Sequence, residues 1–332
     1  MTGYLKLLLI ALSAMAVLVG ALAAYAMHWN QQPLHVTQET IVTLEPGQSF
    51  AAFANRLAEA GYLSRPEIWS ALARVTGAAR RVQAGEYRIE VGDTPVVLLD
   101  RLLAGRVVVH EVTLLEGWTV RRALTELAVQ GSIDHELSGV DERTLLGVLG
   151  LPEGNAEGMF FPDTYRYERG TTDADILRRA YRKLQEELAA RWEARDSGLP
   201  YETPYEALIV ASLIEKETGR EEERSSIAQV FVTRLHKGMR LQTDPSVIYG
   251  VGATFDGNLT RTHLRTDTPY NTYTRNGLPP TPIALAGARS IDSALHPAAG
   301  EFLYFVSRGD GTSHFSVSLE EHEAAVRRYQ LP

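Results

Sequence analysis

Cysteine is absent from all 332 residues. Disulfides, thiol nucleophiles and thiolate metal sites are therefore excluded together, while the compartment stays open, because an exported protein need not contain the residue. A basic excess is missing too: 33 Lys and Arg stand against 41 Asp and Glu, a formal net charge of −8. Phosphate-backbone binding exploits positive charge, so nucleic acid is not an expected partner. The nine histidines show no zincin spacing, and neither a metal nor another cofactor is expected. With 45% hydrophobic and 22% charged residues the chain lies outside the disordered regime, and its length suits about two domains.

Long apolar runs are also scarce, with one exception at the amino terminus. Leu7–Met27 carries no charge and is long enough to cross a bilayer as a helix. Lys6 precedes it, Tyr25 and Trp29 mark its far end, and no Lys or Arg follows before Arg56. The positive-inside rule then places residues 1–6 in the cytoplasm and the bulk of the chain outside. A cleaved signal peptide is the competing reading, with Ala21-Leu22-Ala23 or Ala24-Tyr25-Ala26 as the small-residue site; the run exceeds the usual signal core, which favours the anchor.

After a polar linker over 28–39, Thr40–Leu44 reads as a strand, Glu45-Pro46-Gly47 as a turn, and the segment from Phe50 to Gly61 as a helix capped by Ser49. The same grammar returns downstream: Val112-Thr113-Leu114, Gly117, Leu127-Ala128 and Gly131 match Val42-Thr43-Leu44, Gly47, Leu57-Ala58 and Gly61 without a gap. Between the copies, 84–90 reads as a strand and Thr94-Pro95 opens a helix running to Gly105. These short strand, turn and helix units resemble LysM-type modules, which bind N-acetylglucosamine-containing glycans; a plain α+β spacer is the alternative. Residues 132–200 are mixed, with helical patterns at 142–149 and 176–195. The aromatic cluster Glu157–Tyr165 between them reads as a buried corner.

Tyr205–Ile214 is almost wholly apolar, as in a helix buried on most sides, and runs directly into Glu215-Lys216-Glu217-Thr218. At about 100° per residue the two glutamates point to nearly opposite sides and cannot form a close pair across one bond. Glu217 follows Val210, Leu213 and Ile214; Glu215 follows Leu208, Ala211 and Ser212. The bulkier apolar company of Glu217 favours a raised pKa and a general-acid role. From composition alone the plainer reading is the favoured one, a helix-end carboxylate paired with Lys216 or Arg220. Further on, 227–235 reads as an amphipathic helix. Gln242, Thr243 and Asp244, then Asn271 and Tyr273, are polar groups at turns suited to sugar hydroxyls and acetamido groups, although Asp244-Pro245 also suits a plain helix start. Strands are expected at 301–306 and 314–317, joined by the turn 308–311.

The ordered series AlaSerLeuIleGluLysGluThr at 211–218, ValPheValThrArgLeu at 230–235, GlyMetArgLeuGlnThrAspProSerValIleTyrGly at 238–250, ThrProTyrAsnThrTyr at 268–273 and GlyLeuProPro at 277–280 resembles the YceG-like endolytic murein transglycosylase family. GluGlyMetPhePheProAspThrTyr at 157–165, the closing TyrPheVal and HisPhe and the single anchor extend the likeness over nearly the whole chain. The resemblance implies an inner-membrane enzyme that cuts peptidoglycan glycan strands internally, leaves 1,6-anhydro-N-acetylmuramic acid ends and so terminates nascent strands, with peptidoglycan synthases as possible partners and no cofactor.

The resemblance also implies an acid in the GluLysGluThr motif. It is carried onto Glu217, whose place before a hydroxyl residue is similar to that of the acid in lysozyme-like transglycosylases; the motif leaves Glu215 open. Glu215 joins Gln242, Thr243, Asp244, Asn271 and Tyr273 as a substrate-contacting candidate. The implied fold is α+β: tail 1–6, transmembrane anchor 7–27, linker 28–39, LysM-like module 40–110, connecting region 111–200 and catalytic domain 201–332 with a helical lysozyme-like element. A glycan-binding scaffold without activity and a muramidase-type hydrolase are the other functional readings.

Overall fold

The apolar amino-terminal run forms one continuous helix, α1 (Thr2–Asn30), which contains an 18-residue stretch of mean hydropathy 2.6, none of it buried in the protein. Exposed Leu, Ile and Val crowd its surface, and the helix is long and apolar enough to span a membrane. This computed structural model describes residues 2–330. Met1 of the expected tail and Leu331 and Pro332 of the expected catalytic domain lie outside the described residues.

The chain divides into two compact units between His110 and Glu111. In the first, β1 (Thr40–Leu44) is followed by α2 (Phe50–Glu59), α3 (Pro66–Val75), β2 (Gly85–Ile89) and α4 (Pro95–Ala104). β1 and β2 pair antiparallel, with Val42 opposite Tyr87 and Leu44 opposite Gly85. Ser49 and Thr94 cap α2 and α4 by accepting from Ala52 N–H and Val97 N–H, as Ser and Thr at helix starts do. Fully buried Trp69 is the centre of the core: its ring lies 4.6 Å from that of Phe50, and its indole N–H donates to the Pro95 carbonyl. A buried indole keeps its donor satisfied in this way.

The second unit opens with β3 (His110–Thr113), α5 (Val120–Ala128), β4 (Ile133–Asp134), α6 (Leu145–Val148), β5 (Thr164–Tyr167) and β6 (Thr171–Thr172). β3 pairs with β5, and β4 with β6 in parallel. The second copy of the repeat reproduces the first locally: Gly117 has φ 75° where Gly47 has 76°, and Thr119 caps α5. The long helix α7 (Asp173–Glu193) joins two cores. Ile176, Leu177 and Ala180 pack with α5 and α6, whereas Leu184 and Leu188 pack with α8 (Pro204–Glu217). Residues 111–200 and 201–330 therefore share one compact unit.

Every residue of α8 from Ala207 to Ile214 is buried. Thr203 and Glu206 close a capping box at its start, and its neighbours are α7, α9 (Glu221–His236), α10 (Asp244–Val251) and α12 (Ala288–Leu295), reached after the short α11 (Arg261–Arg265). The hairpin β7 (Tyr304–Ser307) and β8 (Ser313–Ser316), with α13 (Leu319–Tyr329), completes the unit.

The aromatic segment lies inside: Phe160, Phe161 and Tyr165 are buried. Gly158 marks its crossing of the 282–284 strand of chain, with φ 76° and no room for a Cβ against the Pro282 ring. Gly158→Ala combines a strained φ with a collision against the rigid Pro282 ring, and is expected to cost about 2–4 kcal/mol, measured by urea unfolding.

Candidate active site

α8 ends at Glu217, because Thr218 is already extended (φ −142°, ψ 139°). The carboxyl thus sits among the unsatisfied carbonyls of a helix carboxy terminus, where the macrodipole disfavours an anion. The hydroxyl of buried Thr243 donates to Glu217 Oε2 at 2.7 Å, and Oε1 has no partner among the described residues. Burial, reinforced by neighbouring Asp244 and opposed by the Thr243 hydrogen bond, pushes Glu217 up to about 7. Neither Lys216 nor Arg220 pairs with it among the described residues: Lys216 donates to the Gly117 carbonyl and Arg220 to that of Asp310.

Glu215 faces elsewhere. Its side chain is 6% exposed, and its Oε2 accepts from Gly287 N–H at 3.0 Å and the Ser290 hydroxyl at 2.8 Å, at the amino terminus of α12. Arg224, 8% exposed, lies 3.5 Å from Oε1. An anion at a helix start beside a guanidinium ties α8, α9 and α12 together. The two glutamates do point to different sides, as helical spacing requires.

Glu217 opens into a cleft of about 570 Å³. Gln242, Asp244 and Tyr273 line one side, Tyr304, Phe305 and Val306 of β7 another, and Leu319, His322 and Val326 of α13 a third. The Tyr273 hydroxyl donates to Asp244 Oδ1 at 2.6 Å. The His322 ring stacks on Tyr304 at 5.0 Å, and burial beside Arg234 lowers its pKa. Arg234, a residue that sequence reasoning missed, is 7% exposed and donates to the carbonyls of Leu303, Arg240 and Leu241 and to Gln242 Oε1. It holds Gln242 at φ 51°, a left-handed conformation found in no other described non-glycine residue. An arginine inside the apolar ValPheValThrArgLeu face was the available signal.

Gln242, Asp244 and Tyr273 therefore come together with Glu217, and Thr243 reaches the same carboxyl from beneath. Asn271 does not join them. It is 1% exposed, its amide donates to the carbonyls of His263, Leu264 and Thr266, and its oxygen accepts from Tyr273 N–H. Its polar atoms are consumed in shaping the loop that carries Tyr273, which corrects the expectation of a ligand-facing amide. Glu215 is corrected likewise, its carboxylate being spent on α12 and Arg224.

A further acid was passed over inside the aromatic cluster. Glu157, 4% exposed, accepts from Val120 N–H at 3.1 Å and from the Tyr249 hydroxyl at 3.2 Å, joining the start of α5 to α10. Burial pushes it up to about 7. Its folded-state pKa lies above the ordinary 4.5, so folding favours the protonated form, and stability falls as pH rises from about 4.5 to 7. Glu157→Gln is expected to flatten that part of a Tm-versus-pH profile and to raise Tm above wild type at pH 8.

The YceG-like family model matches residues 42–328. An endolytic murein transglycosylase of Bacillus subtilis is 28% identical over 317 residues, covering 90% of this chain and 87% of that protein. An endolytic murein transglycosylase of Streptococcus pneumoniae (strain D39) is 26% identical over 333 residues, and there the chain spans 60% of the relative's length. The crystal structure of a YceG-like protein from Listeria monocytogenes superposes with a TM-score of 0.55 at 25% identity, covering 87% of this chain and 99% of that one. The match takes in most of β1, the whole α8–α10 site and nearly all of α13, and the chain belongs to the YceG-like family.

Proposed function

We propose that the chain is a membrane-anchored lytic transglycosylase that cleaves peptidoglycan strands internally, between N-acetylmuramic acid and N-acetylglucosamine, with Glu217 as its single acid and base. The observation that carries this reading is the state of Glu217: a carboxyl lining the cleft and poised near neutrality, one oxygen fixed by Thr243 and the other without a partner among the described residues. Relatives named endolytic murein transglycosylases support it.

The protonated Glu217 donates to the glycosidic oxygen as the C1–O bond breaks, releasing the N-acetylglucosamine hydroxyl. Its carboxylate then takes the proton of the C6 hydroxyl as that oxygen bonds to C1, closing the 1,6-anhydro ring and restoring the acid. No water is consumed. Tyr273 and His322, which stacks on Tyr304, line the cleft with rings suited to sugar faces, and Gln242 offers a carboxamide to hydroxyl or acetamido groups. α8 with its terminal acid serves as the lysozyme-like element. The β1–α2–α3–β2 unit, read as a LysM-like module, would hold the glycan. α1 would anchor the chain in the inner membrane with the amino terminus in the cytoplasm and the residues after it in the periplasm, beside the synthases whose strands it terminates.

One observation favours a hydrolase as the second reading, namely that Asp244 lines the same cleft and is a candidate base. Mass spectrometry of products from uncross-linked strands separates the two. Anhydro ends, one water lighter than reducing ends, support the transglycosylase; reducing ends whose formation is lost in Asp244→Asn support the hydrolase.

A further inference from the structure

α7 carries a feature that the cleft chemistry does not use. Arg178, Arg179 and Arg182 line a single cavity of about 400 Å³ with Leu149, Leu151 and one carboxylate, that of Asp175. Arg178 donates to the Leu149 carbonyl at 3.0 Å and to Asp175 at 2.9 Å. Arg179 gives one nitrogen to the Arg166 carbonyl and lies over the Tyr165 ring, while its Nε and Nη2 are buried with no acceptor. Arg182 is exposed and makes no ion pair among the described residues.

Three guanidinium groups on adjacent turns of one helix repel one another, and buried N–H donors without acceptors cost free energy. The buried Arg179 donors are closed off from the cavity, but the repulsion persists in a chain whose overall charge is −8, and a bound anion relieves it. We infer that this cavity is a binding site for a carboxylate of the peptide stems carried by the glycan strand, a proposal that rests on the proposed function above.

A planar carboxylate suits the guanidinium fork, which binds it through two parallel hydrogen bonds. Leu149 and Leu151 supply an apolar side against which a small side chain such as alanine packs. An anionic membrane surface fits less well, because the site is concave and the second half of α7 presents Glu186, Glu187 and Glu193. The cavity and the Glu217 cleft belong to the same compact unit. The site would make the enzyme favour strands that still bear stems over strands that have been stripped of them.

The test uses the full chain in detergent, with the free stem tetrapeptide as the titrant in calorimetry. Wild type is expected to bind it, Arg182→Ala to weaken binding about fivefold, and Arg182→Lys, which keeps the charge and loses the fork, to recover part of the loss. In strand digests, the wild-type preference for stem-bearing over stem-stripped strands is expected to shrink towards unity in Arg182→Ala. Arg182 is exposed, so the variant should fold; an unchanged Tm checks this. No binding by wild type, or equal binding by wild type and Arg182→Ala, overturns the site. Displacement of the peptide by equimolar inorganic phosphate overturns the stem assignment in favour of phosphate. Arginine-dependent binding to phosphatidylglycerol vesicles, without peptide binding, overturns it in favour of the membrane. The titration needs no turnover, so absence of strand cleavage by wild type counts against the proposed function alone.

Discussion

Glu217→Gln is expected to lower strand cleavage by about 10²- to 10⁴-fold, the range contributed by a positioned general acid and base. Glutamine keeps the oxygen that accepts from Thr243 and fills the same volume, so strand binding should persist and the loss should fall on kcat. The pH profile should move with it. Glu217 must begin the reaction protonated, and with a pKa of about 7 wild-type kcat/KM should decline on the alkaline side with a midpoint near that value.

Stability should move the other way. The folded-state pKa exceeds the ordinary 4.5, so ionised Glu217 opposes folding; the penalty is absent below about 4.5, grows up to about 7 and is full above it. The amide removes the ionisation, and Glu217→Gln should be about 1–3 kcal/mol more stable than wild type at pH 8 by urea unfolding. A variant with wild-type cleavage rates would remove Glu217 from the reaction.

Glu215→Ala is expected to do the opposite: lose stability and keep chemistry. Removing this carboxylate leaves Arg224 without its ion-pair partner and takes the acceptor from Gly287 N–H and the Ser290 hydroxyl. Breaking one side of a buried pair costs about 3–5 kcal/mol, which at this chain length lowers Tm by about 10 °C. Cleavage per folded molecule should stay within a few-fold of wild type at a temperature below the lowered Tm. A Glu215 variant of unchanged Tm that no longer cleaves would transfer the acid role to it.

Much of the local structure was legible because it is local. Ser49 and Thr94 announce their helices, Leu7–Met27 its long apolar helix, and helical spacing turns Glu217 and Glu215 to different sides. What escaped depends on residues far apart in the chain. Asn271 reads as a ligand-facing amide, since a polar side chain at a turn looks the same whether it serves a sugar or the backbone of its own loop. Glu215 reads as substrate-facing until the start of α12 arrives beside it. Arg234 and His322 lie on helices whose contact with the Gln242 loop and with Tyr304 exists only in three dimensions. The buried acid Glu157 was hidden among aromatics whose packing was foreseen and whose polar neighbour was not.

The third wall of the cleft, α13, also sets an order of events. Leu319, His322 and Val326 enclose a carboxyl whose own helix is made about a hundred residues earlier. A chain emerging amino terminus first has α1 and Glu217 outside the ribosome well before that wall exists. The acid is made early, and the cleft that would let it act is finished only as the last turns of the unit fold, so a nascent chain has no assembled site with which to cut the wall during its own synthesis.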